Sequence, residues 1–167
     1  MIRMSSRLSA ASDAHEIIPN LWLGNLKAAA NCEFLKSHSI FTVFNCTKTL
    51  PYAACVRRKY RVPVDDNLEP IEIENLEKWA AEIVYKVILE LRRSHTVLIH
   101  CHAGMQRSAA VTAMVLISLY KISADDSMTY IRRIRSIAFF PAANFDASIR
   151  GFEKQLTTAR SNQDPHK

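Results

Sequence analysis

Four short runs rich in β-branched and aromatic residues punctuate the chain: Leu21 to Leu23, Ile40 to Asn45, Tyr60 to Val64 and Thr96 to His100. Apolar runs of this length, bounded by polar residues, predict strands. Elsewhere the apolar positions recur at helical spacing. Between Ile73 and Arg92, the residues Leu76, Ala80, Ile83, Val84, Val87 and Leu91 share one face and Glu and Lys the other, which predicts a long amphipathic helix. Ser123 and Asp126 have the spacing of a capping box, opening a helix with Met128, Ile131 and Ile134 inward, Arg132, Arg133 and Arg135 off that stripe, and Pro141 as its end. A last helix is predicted over 144–156 with Phe145, Ile149, Phe152 and Leu156 inward. Strands alternating with helices predict an α/β fold: a central, mostly parallel sheet of four to five strands flanked by helices on both faces.

A length of 167 residues with 49% hydrophobic residues suits one domain with a real core. The Ser- and Ala-rich start, 1–14, reads as a flexible arm, 15–160 as the domain, and 161–167 as a frayed tail. The longest apolar run, Ala109 to Tyr120, is well short of the ~20 residues that span a bilayer, so it predicts a core helix and no membrane contact. Three glycines leave no room for a dinucleotide fingerprint or a Walker loop. A net charge of +6 favours anionic partners. Four cysteines at irregular spacing, without a C-x2-C pair, predict free thiols in the cytoplasm or nucleus; Cys32, Cys46 and Cys55 show no partner by spacing. His95, His100 and His102 fall short of the four ligands of a structural zinc site, so no metal is expected.

The chemistry concentrates in residues 96–110, where an apolar strand runs through a short turn into an apolar helix. Cys101 stands at the strand's C-terminal end and Ser108 at the helix start, the edge at which open α/β sheets bind ligands. The turn 102–107 directs backbone N–H groups to a common centre, reinforced by the helix N-terminus, and Gly104 permits the curl. Arg107 faces the unfavourable end of the helix dipole unless an anion sits there, and its planar fork suits two phosphate oxygens. In such an electropositive cup Cys101 is stabilised as a thiolate nucleophile.

The segment His100-Cys-His-Ala-Gly-Met-Gln-Arg-Ser108 resembles the His-Cys-x-x-Gly-x-x-Arg-Ser signature of the dual-specificity protein phosphatases, small single-domain members of the cysteine-based tyrosine phosphatase superfamily. The resemblance covers roughly 16–156, including Ile18-Pro-Asn-Leu-Trp-Leu-Gly-Asn25 as the family's first strand and Tyr60-Arg-Val-Pro-Val-Asp-Asp-Asn67 as the segment bearing its acid. It implies hydrolysis of phosphotyrosine and of phosphoserine or phosphothreonine through a phosphocysteine intermediate, without any cofactor. Cys101 would be the nucleophile, and the loop residues His102, Ala103, Gly104, Met105 and Gln106 together with Arg107 would hold the phosphate. Ser108 would ease the sulfur's departure, and His100 would support the loop and keep the sulfur ionised. Both steps need a proton carrier. The family places it three positions after a proline; Pro63 gives Asp66, with Asp65 as the fallback. The longer Leu-Glu-Pro-Ile-Glu link after Asn67 departs from the family. Asn144 resembles a family asparagine that braces the site, at a different spacing to Phe152.

Rival readings on the same fold are an RNA 5′-triphosphatase, a phosphoinositide phosphatase and a catalytically silent phosphate-binding module. The uncharged loop residues and the lack of Thr-His-Gly weigh against the two enzymes, and the presence of nucleophile, arginine and acid against the silent module. The basic clusters at 57–61 and 132–135 read as solvated faces, too poor in aromatics for a single-stranded nucleic-acid platform. The expected partners are phosphoproteins, and the expected state a monomer or weak homodimer.

Overall fold

The computed structural model describes residues 12–163. In chain order its elements are β1 (Ala14–Ile18), β2 (Leu21–Gly24), α1 (Leu26–Ala30), α2 (Cys32–Ser37), β3 (Ile40–Asn45), β4 (Arg58–Arg61), α3 (Pro70–Arg92), β5 (Thr96–His100), α4 (Arg107–Tyr120), α5 (Ala124–Ile134) and α6 (Asp146–Gln163). They form a five-stranded sheet in the order β1-β2-β5-β3-β4. Only the β1–β2 pair is antiparallel; β2, β5, β3 and β4 run parallel.

Both faces of the sheet are covered, so its strands carry apolar side chains at successive positions, as parallel strands do. Leu21, Leu23, Phe44, Val97 and Ile99 face the larger core, shared with α3, α4, α5 and α6. Trp22, Val43 and Leu98 face the smaller one, closed by Ala29, Phe34 and Leu35 of the short helices α1 and α2. β5 is central, and α4 behind it is buried from Ser108 through Ile117, consistent with an apolar surface on every side. No single helix among the described residues is long and apolar enough to cross a membrane.

Several boundaries move. β1 is a strand the hydrophobic pattern did not show. It lies where the arm was expected to end. Of that arm, 1–11 lies outside the described residues, but Ala14 is in the sheet and the Asp13 carbonyl accepts from Asn25 N at 2.9 Å. β4 is the charged run Arg58–Arg61 rather than Tyr60 to Val64; Val62 and Val64 follow it as a buried extended segment, Val62 N bonding to Asn45 O at 2.9 Å. α3 begins at Pro70, in the first helical position where a missing N–H costs nothing. α5 keeps its expected cap, Ser123 Oγ accepting from Asp126 N at 3.0 Å, yet ends at Ile134, well before Pro141. α6 begins two residues later than expected and continues to Gln163, taking in the start of the expected tail; 164–167 lies outside the described residues.

Two chemical expectations are corrected. Cys32 and Cys55 form a disulfide that ties the start of α2 to the segment before β4. Their thiols are therefore not free, and the bridge removes the support they lent to a reducing compartment. The basic clusters are also not merely solvated. Arg58 pairs with the buried Glu90 at 2.7 Å, and Arg61 donates to Thr47 O and Leu50 O at 2.9 Å each. Arg135 is fully buried.

Candidate active site

β5 delivers Cys101 to the C-terminal edge of the sheet, and the loop from Cys101 to Gln106 carries the chain into α4. Four consecutive carbonyls of this loop are held by its surroundings. His102 O accepts from Leu26 N at 3.0 Å, Gly104 O from Arg135 Nε at 2.8 Å, Ala103 O from Arg135 Nη2 at 3.3 Å, and Met105 O from Phe139 N at 2.7 Å. In a planar trans peptide the N–H points opposite to the carbonyl. With the oxygens drawn outward, the amides of residues 103–106 face the concave side above Cys101. Gly104 makes the curl possible: its φ is 65°, and a Cβ there would lie 2.5 Å from Gly24 O.

Cys101 is 2% exposed, and its sulfur lies 3.1 Å from Ser108 Oγ in the first turn of α4. A hydroxyl so placed can donate to a thiolate. Arg107 Nη1 donates to Val64 O at 3.1 Å, which orients the guanidinium; its buried Nε has no hydrogen-bond partner among the described residues. A buried guanidinium N–H left open beside a cysteine is suited to an oxyanion. Cys101, Arg107, His102, Ala103, Met105 and Gln106 line a cavity of about 370 Å³, completed by Asp66, Phe140 and Asn144.

The two aspartates separate. Asp66 lines the cavity, and its Oδ1 accepts from Asn144 Nδ2 at 2.8 Å. Asp65 turns away to an ion pair with Lys48 at 2.8 Å, while its backbone N–H donates to Glu72 Oε2 at 2.9 Å. Lys48 also bonds Glu72, and those two contacts, the Lys48 bond first, lower the Glu72 pKa. The longer link after Asn67 thus ends in a peg: Glu72, in the first turn of α3, fixes the residue before Asp66.

His100 supports the loop through its ring, as expected, while burial sets its charge. Nδ1 lies 3.2 Å from Cys101 O, and since a carbonyl only accepts, this nitrogen carries the proton. Burial lowers the His100 pKa to about 4; the Cys101 carbonyl opposes the shift, and Arg61 and Arg107 add to it. The ring is therefore neutral near pH 7 and supplies a hydrogen bond to the loop but no charge to the sulfur. Gln106 also differs: its side chain is only 6% exposed and braces the site, Nε2 donating to Phe140 O at 3.1 Å and Ala142 O at 2.8 Å while Oε1 accepts from Asn144 N at 2.9 Å.

Arg135 is the principal residue that sequence reasoning missed. Besides the two loop carbonyls, its Nη1 donates to Ser12 O at 2.8 Å and lies 3.0 Å from His15 Nδ1. Burial disfavours its charge, whereas Cys101 and Asp13 favour it, so it adds a second cation behind the cup. Its signal was present: position 135, the C-cap of α5, lies four residues after Ile131 and seven after Met128, in line with the inward positions of that helix.

A family model described as "Dual specificity phosphatase, catalytic domain" matches residues 21–155. Human dual specificity protein phosphatase 9 is 30% identical over 149 residues, covering 87% of this chain and 38% of that protein. The chain spans between 21% and 38% of the length of such curated relatives. Among solved structures, a mouse putative dual specificity phosphatase complexed with zinc tungstate is 26% identical with a TM-score of 0.76, covering 95% of this chain and 97% of that one. Human DUSP28, 24% identical with a TM-score of 0.74 over 89% of this chain and 97% of that one, shares the fold.

Proposed function

The chain belongs to the dual-specificity phosphatase catalytic-domain family, and from that premise we propose that it hydrolyses phosphotyrosine and phosphoserine or phosphothreonine in proteins through a phosphocysteine intermediate. The observation that carries this reading is the meeting of Cys101, Arg107 and Asp66 around one cavity.

In the first step the three non-bridging phosphate oxygens rest against the loop amides and the open edge of Arg107, which match the charge of the transition state. The Cys101 thiolate attacks phosphorus in line with the ester oxygen. The S–P bond forms as the P–O bond breaks, and the Asp66 carboxyl transfers its proton to the departing oxygen. In the second step a water loses a proton to the Asp66 carboxylate and attacks phosphorus. The S–P bond breaks, its electron pair returns to Cys101, and the Ser108 hydroxyl stabilises the released thiolate. Asn144, bonded to one oxygen of Asp66, leaves the other for these transfers.

His102, Ala103, Met105 and Gln106 bring no fixed positive charge to the loop, so neither a phosphoinositide nor a triphosphate end of RNA is favoured. The tungstate held by the mouse relative is a tetrahedral dianion of phosphate-like shape, which supports an oxyanion site here. The test compares p-nitrophenyl phosphate hydrolysis and tungstate binding in the wild type and Cys101→Ser. Turnover by the wild type alone, with tungstate binding in both, is expected. An inert wild type that still binds tungstate would make the domain a silent phosphate-binding module.

A further inference from the structure

We propose that Phe140 is a specificity wall that favours aryl phosphate esters, phosphotyrosine foremost, over the alkyl esters of serine and threonine. The proposal rests on the hydrolase reading above and narrows it. Phe140 is 66% exposed and lines the cavity that holds Cys101 and Asp66. A lone exposed aromatic is ordinary on a protein surface. This one differs because its backbone is fixed to the phosphate loop on both sides.

Phe139, its neighbour, is 1% exposed and donates its N–H to Met105 O at 2.7 Å. The carbonyl of Phe140 accepts from Gln106 Nε2 at 3.1 Å, and Gln106 continues to Ala142 and Asn144. Two loop residues that shape the oxyanion cup therefore also hold the backbone that carries the ring. The remaining wall beyond the loop is polar, formed by Asp66 and Asn144 joined to each other. The cavity lining thus combines a proton-transfer pair, Asp66 and Asn144, with one aromatic ring and the sulfur-bearing Cys101.

Ester geometry converts that asymmetry into selectivity. Phosphotyrosine places a flat ring between the ester oxygen and Cβ, at the height where a rim aromatic can pack against it. Phosphoserine and phosphothreonine have only a tetrahedral carbon there, so they present no ring to the wall. Ring-on-ring contact adds to apolar burial and is made only by the aryl ester.

One peptide sequence carrying phosphotyrosine, phosphothreonine or phosphoserine would be assayed with the wild type, Phe140→Ala, Phe140→Leu and Phe140→Trp. Urea unfolding of the three variants should match the wild type, as expected for a ring 66% exposed. Phe140→Ala should lower kcat/KM for the phosphotyrosine peptide by about tenfold and change the other two by less than about twofold, with tungstate inhibition unaltered. Phe140→Trp should restore the preference, and Phe140→Leu only part of it. A parallel loss on all three esters, a changed tungstate inhibition, or an unchanged ratio in an active enzyme would overturn the proposal alone. A wild type inert towards all three would overturn the hydrolase reading and this one with it.

Discussion

Asn144 and Asp66, separated by 78 residues in sequence, are joined by a 2.8 Å hydrogen bond from the asparagine amide to Oδ1 of the carboxylate. The bond holds Asp66 at the cavity that Cys101 also lines, whereas Asp65 is drawn to Lys48 and Glu72.

Asp66→Ala is expected to lower kcat by about 10² to 10⁴, the usual span for loss of a general acid, and Asp65→Ala much less. The defect should be greater for phenyl phosphate than for p-nitrophenyl phosphate, whose leaving group needs little protonation. Asn144→Ala should show the same leaving-group dependence at smaller size. The reverse order of the two aspartates in a leaving-group series would assign the acid to Asp65.

Arg135→Met leaves the carbonyls of Ala103, Gly104 and Ser12 without their donor, that of Gly104 in a buried place, and sets an apolar chain among them. The expected cost is about 3 kcal/mol of stability, read from urea unfolding. Arg135→Lys keeps the charge but loses the fork, so it should fold and still bind tungstate roughly tenfold more weakly. Unchanged tungstate affinity in the lysine variant would detach Arg135 from the cup.

His100 makes stability depend on pH in a defined window. Its folded pKa of about 4 lies below the ordinary value of 6.5, so between them the unfolded chain binds more protons than the folded one. Stability rises with pH across that window: the folded state loses about 3 kcal/mol as pH falls from 6.5 to 4, and nothing from this group above 6.5. Glu90 acts at lower pH. Burial resists its ionisation, but bonds from Thr42, His95 and Arg58 prevail and hold its pKa at about 2, so its contribution is lost as pH falls from about 4.5 towards 2. Chemical denaturation at stepped pH should show both losses, and His100→Asn should flatten the slope above pH 4 only.

Closing a loop with a sequence separation of 23, the Cys32–Cys55 bridge should stabilise the fold by about 3 kcal/mol. Cys32→Ser, or dithiothreitol added to the wild type, should lower the thermal midpoint together. Turnover in dithiothreitol should persist, since Cys101 needs to be reduced. Two iodoacetamide-reactive cysteines in the unfolded, unreduced chain are expected, and four would show that the bridge is absent.

What was legible in the sequence was local. Cys101, Gly104, Arg107 and Ser108 lie within eight residues on one strand–loop–helix unit, so their spacing alone implied a cup. Asp66 was chosen over Asp65 through the family resemblance, three positions after Pro63, and it is the aspartate that lines the cavity. What escaped depends on contacts across the fold. Gln106 reads as a variable loop residue until the carbonyls of Phe140 and Ala142 are brought to it. Arg135 carries a charge that masked its place on a buried stripe, and the two bridged cysteines share no motif spacing. β1 and β4 are the sheet's two edges, where polar and charged residues discourage further pairing and dilute the strand pattern.

The bond from Arg135 to Ser12 ties the segment ahead of β1 to the loop that follows β5. Ser12 stands 123 positions from the arginine that grips it, yet one guanidinium separates its carbonyl from those of the reactive turn. A change that displaced Ser12 would remove one of the contacts that hold this guanidinium against the turn. A shortened form of the chain would do well to keep residues 12–15.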